Sequence, residues 1–235
     1  MQMAHEHGLL VFMTTVKIEQ RRSGFWLVLI ACLVSIALFS AFWAGANGRE
    51  LAESQRNAPI LLQVPALAQS RGTSCGEAVI VMAYNHAHPQ APLTEAQVIA
   101  YATEQGYFTE ASEPFTSPAN MLRITRNYTN EYSSGVVFLP DQGLTVLIRQ
   151  LKRGAPVIID VLTHLDDRNS GAHFVLITGM ALDPNDTRQA TIYFNNPQTG
   201  ANEAAAWGGE MGIWHAWQNN PDPGGAGWWM VMSPG

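Results

Sequence analysis

The sequence predicts an α+β domain held behind an N-terminal transmembrane helix. Three observations predict it. Phe25 to Trp43 is an apolar block without a charge across 19 residues, long enough to cross a bilayer core as a helix. Beyond that block, segments with helical apolar spacing and caps occupy the first part of the chain. Runs of β-branched residues separated by turn signals occupy the second. Helices first and strands later is the order of an α+β domain.

Residues 1–24 read as a polar, His-containing cytoplasmic stub, 25–45 as the membrane span, 46–59 as a linker and 60–235 as the folded domain. Lys17, Arg21 and Arg22 precede the apolar block, while Arg49 and Arg56 behind it are offset by Glu50 and Glu53. The positive-inside rule then puts the domain outside the cytoplasm. The span is either a retained signal anchor or a cleaved signal peptide, since Ala44-Gly45-Ala46 resembles a cleavage site. Cleaved signals carry apolar regions of about 7–15 residues, so the length favours the anchor. Both readings export the domain.

Within the domain, Ile60 to Pro65 reads as a short strand. An almost wholly apolar helix is expected from Cys75 to about residue 86, capped by Ser74 with Glu77 completing a capping box. A second runs from Glu95 to Glu104 after a Thr94 cap, a third over about 118–127 and a fourth over about 144–153, ended by Gly154. Strands are expected over 156–162, 173–179 and 190–195, the last two joined by the turn Asp183-Pro184-Asn185-Asp186. Trp228 to Met232 reads as a final strand. The Trp- and Gly-rich region before it fits either core packing or an aromatic cleft wall.

Composition excludes some functions. Of the 13 Lys and Arg, three precede the apolar block; of the 19 Asp and Glu, two do. The chain beyond residue 46 therefore carries 10 and 17, a net charge of −7, with no basic run. Nucleic acid is not an expected partner, because phosphate neutralisation needs clustered cations. There are two cysteines, and Cys32 lies inside the apolar block. Cys75 is thus the one thiol of the exported domain, which excludes a disulfide framework there.

Cys75 stands in the first turn of the apolar helix, where the partial positive charge and unpaired N–H groups favour thiolate. Gly76 lets a backbone approach closely. By itself Cys75 fits a nucleophile or an inert buried thiol. His173 opens a strand after Gly171-Ala172. If the turn is centred between Pro184 and Asn185, His173 lies directly opposite Asn196, whose carboxamide would orient the imidazole. A one-residue slip would separate them to opposite faces. Gln69, six residues before Cys75, is a candidate oxyanion donor beside the Cys75 main-chain N–H, or an ordinary loop residue. His86 and His88 fit a solvated helix end, His164 a loop near the site, and His215 packing among tryptophans. No metal site or cofactor is expected.

The string Val64-Pro65…Gln69-x5-Cys75-Gly76 resembles the start of a papain-like peptidase domain. More closely, it is similar to the bacteriocin-processing, double-glycine peptidases and their stand-alone relatives, cysteine peptidase family thirty-nine. Gly154-Ala155-Pro156-Val157-Ile158, Gly171-Ala172-His173-Phe174-Val175 and Asn196-Pro197 continue the likeness over about residues 60–200. Two positions depart: Ala172 stands where many relatives have Gly, and Asn196 where many have Asp. The resemblance implies a papain-like fold, with helices packed on an antiparallel sheet. It implies Cys75 as nucleophile, His173 as base and then acid, Asn196 as orienter and Gln69 as oxyanion donor. The sequence contains no ATP-binding or six-helix transporter segment, so leader cleavage is not carried over. The expected activity is hydrolysis of a peptide or protein outside the membrane through a thioester. Cell-wall amidase or transpeptidase chemistry on the same core, and a non-catalytic binding module, are the rivals.

Overall fold

In the computed structural model, residues 58–183, 185–186 and 189–233 are described. The expected stub, membrane anchor and nearly all of the linker lie outside them. Among the described residues no helix is long and apolar enough to cross a membrane.

Seven antiparallel strands form one sheet: β1 (Ile60–Leu61), β2 (Tyr132–Val136), β3 (Val157–Leu162), β4 (Ala172–Leu182), β5 (Ala190–Asn196), β6 (Ala201–Ala206) and β7 (Trp228–Met232). Their order is β2-β7-β3-β4-β5-β6, and β1 joins β4 beyond the end of β3. The helices are α1 (Cys75–Ala87), α2 (Glu95–Glu104), α3 (Pro118–Tyr128), α4 (Pro140–Lys152) and α5 (Ile213–Asn219). Residues of α1, α2 and α3 share one core with Ile158, Phe174, Leu176 and Met230. Residues of α4 and α5 share the other with Val157, Ile159, Val175 and Ile177. The sheet is thus buried on both faces by the period-two alternation of β3 and β4.

Helix α1 is apolar nearly all round because it lies between α2, α3 and the sheet. Gly76 serves this packing: a side chain there would meet Met121 Sδ at 2.8 Å. It is buried, so its smallness admits α3 and not, as expected, a substrate backbone. The expected capping box at Ser74 and Glu77 is absent. Ser74 Oγ donates to Glu95 Oε1 at 2.7 Å, and Glu77 Oε1 accepts from Thr116 Oγ1 at 2.7 Å. Tertiary partners displaced the local ones. At α2 the Thr94–Gln97 capping box does form.

Three elements were not expected. Helix α5 is short, and β2 is a polar edge strand. Strand β6 reads Ala-Asn-Glu-Ala-Ala-Ala, a composition that favours helix; pairing with β5 over six residues overrides that preference. Helix α4 begins earlier than expected, with Pro140 in its first turn, and β1 is shorter. The tryptophans resolve as core. Trp207 and Trp217 are buried behind the sheet, and Trp217 Nε1 donates to Trp228 O at 2.7 Å.

Candidate active site

The β4–β5 hairpin departs from its expected register. Leu182 pairs with Ala190 and Gly179 with Tyr193, a register that would send His173 and Asn196 to opposite faces if continued. Between Ile177 and Gly179 the register shifts by one residue, so Thr178 has no partner of its own. Beyond this bulge Ile177 pairs with Phe194 and Leu176 with Asn195. The position opposite His173 then falls at Gln198, two residues past Asn196. The two side chains become same-face diagonal neighbours, within reach of long side chains. His173 Nε2 and Asn196 Oδ1 are 2.9 Å apart. The expected contact forms although the expected direct pairing does not.

Asn196 is itself held. Its Nδ2 donates to both oxygens of Glu203 at 3.2 Å, and Thr199 Oγ1 donates to Glu203 Oε1 at 2.6 Å. With the amide nitrogen committed to a carboxylate, the amide oxygen faces the imidazole. Nε2 must then carry a hydrogen, and in the neutral ring Nδ1 is the basic nitrogen. Glu203 was not anticipated. Its one signal was a lone carboxylate seven residues past Asn196 in an alanine-rich stretch.

Cys75 meets this strand directly. The main-chain N–H groups of Phe174, the residue after His173, and of Gly76 act on its sulfur. Among the described residues no hydrogen bond joins Cys75 to His173; the ring's side-chain partner is Asn196. Gln69 arrives from the other direction, its main-chain N–H donating to Pro197 O at 2.8 Å. The loop before α1 is therefore tied to the turn after Asn196. The Gln69 carboxamide donates to Arg71 O at 2.8 Å, and its Oε1 is buried without a partner. Glu95 holds the same loop, accepting from Ser70 N at 2.9 and 3.0 Å and from Ser74 Oγ. The fold thus gathers the segments carrying Gln69, Cys75, His173 and Asn196.

The electrostatics differ from expectation. Burial pushes the Cys75 thiol up to about 12, and the charges of Glu77 and Asp160 add to it; the Phe174 and Gly76 N–H groups only partly oppose them. The thiolate expected from the helix terminus is outweighed, because a partial dipole charge is small against removal of a full anion from water. Burial also lowers the His173 imidazole, with the Asn196 hydrogen bond and the Glu203 charge opposing it. Cys75 is itself only partly exposed, and both shifts favour the uncharged thiol and the uncharged imidazole.

Glu77 is fully buried, and burial pushes its carboxyl up to about 7. The folded chain binds that proton more tightly than the unfolded chain, whose carboxyl titrates near 4.5. Stability contributed by the protonated form is present below about pH 4.5 and lost as pH rises to about 7. Replacement by the neutral isostere should therefore stabilise the fold at high pH. Glu77→Gln is expected to gain about 3 kcal/mol at pH 8 and nearly nothing at pH 4.5, at about 1.36 kcal/mol per unit. Urea unfolding at the two pH values checks this; an equal difference at both would contradict it.

The other histidines stand apart. His86 Nε2 lies 2.9 Å from Gly154 O, and the His88 ring packs on Tyr84 at 4.5 Å, so this helix end is built into the fold and not solvated as expected. His215, on α5, lies 3.3 Å from Asn219 Nδ2. His164 is near enough for its charge to lower the His173 imidazole. No group of three His, Cys, Asp or Glu side chains among the described residues could hold a metal ion.

Two hollows, of about 680 and 590 Å³, lie at β2 and between the 63–67 segment, α1 and α2. Beside Cys75 lies a cleft of about 20 Å³, walled by Thr73, Glu113, Ala172, Phe174 and Asp222 among others. The thiol, and not the volume, marks the site. The family model described as the Peptidase_C39 like family matches residues 61–220. None of the curated proteins compared with it matches the chain.

Proposed function

Since the chain belongs to the Peptidase_C39 like family of papain-like cysteine peptidases, we propose that Cys75, His173, Asn196 and Gln69 hydrolyse a peptide or protein bond through a thioester. The observation that carries this reading is the His173–Asn196 hydrogen bond on a strand whose next N–H acts on the Cys75 sulfur. Asn196 leaves Nδ1 as the basic nitrogen. The reading requires that nitrogen to reach the Cys75 sulfur when substrate is bound. Because both groups rest neutral, His173 takes the thiol proton as sulfur attacks the carbonyl carbon. The protonated ring then passes that proton to the leaving amine, forming a thioester on Cys75. Water, deprotonated by the same ring, displaces Cys75 and releases the acid. The Cys75 main-chain N–H stabilises the oxyanion, joined by the Gln69 carboxamide once it turns from Arg71 O.

The proposed setting is extracytoplasmic. Its support is the uncharged block Phe25 to Trp43 with Lys17, Arg21 and Arg22 on its near side. The partners are then a peptide or protein substrate and the membrane, through the N-terminal helix; the acidic charge balance speaks against nucleic acid.

The test is to incubate the full chain with a casein-derived peptide pool and, separately, with purified peptidoglycan. New amino termini and an acyl adduct on Cys75, seen by intact mass and absent in Cys75→Ala, are the expected result from the peptides. Products from peptidoglycan alone would move the reading to a cell-wall amidase or transpeptidase. No product and no adduct from either would leave a papain-like binding module.

A further inference from the structure

When His173 takes the thiol proton its ring becomes positive, and a carboxylate beside it would stabilise that charge. Asn196 aims the ring but carries no charge. A carboxylate stands one residue further out, on β6. Glu203 pairs with Phe194, two residues before Asn196 on β5, so Glu203 and Asn196 are same-face diagonal neighbours. Gly200, with a φ of +68°, closes that hairpin, and its N–H donates to Asn196 O at 2.8 Å. The Glu203 carboxylate accepts from the Asn196 amide nitrogen through both oxygens and from Thr199 Oγ1.

Aiming the amide does not require a charge at 203. Asn196 Oδ1 accepts from the Gln198 main-chain N–H at 3.0 Å, and a main-chain N–H can only donate. That bond by itself assigns the oxygen that meets His173 Nε2. A neutral acceptor at 203 would hold the Asn196 nitrogen as well. What the carboxylate adds is its charge. Burial lowers the His173 imidazole, and Glu203 opposes this while His164, in the loop before β4, adds to it. The other ionisable groups at this strand end address the main chain: Asp160 of β3 meets the His173 N–H, and Cys75 of α1 meets that of Phe174.

We propose that Glu203 is a positioning residue of the reaction, supplying through the Asn196 amide the negative charge that Asn196 itself lacks. The proposal rests on the reading that His173 moves the thiol proton, and it adds the group that steadies the positive ring. Glu203 touches neither substrate nor sulfur, and no proton leaves the amide.

The test reads the ring directly. The full chain is made with nitrogen-15 histidine, and the His173 signals are assigned by their loss in His173→Gln. In Glu203→Gln, which keeps size and acceptor, the His173 titration should move to lower pH while Nε2 stays the protonated nitrogen of the neutral ring. Unchanged signals from the other histidines report an intact fold. For a peptide that acylates Cys75, kcat should fall about tenfold with KM unchanged, the scale of one charge acting at second remove. The acid limb of kcat should move down with the titration. Asn196→Asp combined with Glu203→Gln puts the carboxylate next to the ring and the amide behind it, and should recover both titration and kcat.

A His173 titration that Glu203→Gln does not move overturns the proposal and leaves Glu203 as a tie between hairpin strands. A double variant that recovers neither quantity overturns it too. If the hydrolase reading fails, no variant cuts peptide while the titration still follows Glu203. If this proposal fails, peptides are cut and the titration stays where it was.

Discussion

His173→Ala is expected to lower kcat/KM for peptide hydrolysis about ten-thousand-fold, the upper range for loss of a general base. The large value stems from the resting charge state. A preformed thiolate would attack without proton transfer, and the loss would then be mild. With burial pushing the thiol to about 12, nearly every attack needs a base at the sulfur. Asn196→Ala should cost less, about a hundredfold, because it leaves the ring but releases its aim. The Asn196 variant should also widen the pH profile of kcat, since the imidazole loses the hydrogen bond that raises it. Steady-state kinetics from pH 5 to 9 on a peptide found to acylate Cys75 checks both. A His173→Ala loss below tenfold would assign proton transfer to another group.

Labelling of Cys75 by iodoacetamide at pH 7.5 is expected to be about a hundredfold slower than labelling of free cysteine. A thiol pushed to about 12 has a thiolate fraction about three-thousand-fold below that of a thiol near 8.5. Its greater basicity returns about thirtyfold in nucleophilicity. The rate should climb about tenfold per pH unit up to at least pH 10, without a plateau. A plateau below pH 8 would mean that Cys75 and His173 rest as an ion pair, and the order of proton transfer and attack would reverse.

Much of the architecture was legible before any coordinate. Helix α2 sits where its cap and apolar run put it, and helix α1 and strand β7 where their apolar runs put them, because those signals are local. Strand β6 and helix α5 were not legible. An alanine-rich segment favours helix until a neighbouring strand offers its hydrogen bonds, and a seven-residue helix is held by packing more than by propensity. The capping box at Ser74 failed for a related reason. Its local pattern was sound, but Glu95 and Thr116, distant in sequence, offered better-placed partners.

The sequence by itself pointed to the four residues proposed for the site. One thiol at the start of an apolar helix, one histidine at the mouth of a strand and one asparagine before a proline left few alternatives, since each position is set by short-range spacing. Only the tertiary structure decided how those residues are charged and aimed. The bulge at Thr178 turns His173 and Asn196 to one face, and Glu203 orients the amide. Enclosure of Cys75 beside Glu77 and Asp160 pushes its thiol up to about 12. The physical reason is range: caps and periodicities act within a turn or a strand, whereas burial and charge–charge interactions depend on everything the finished fold brings near.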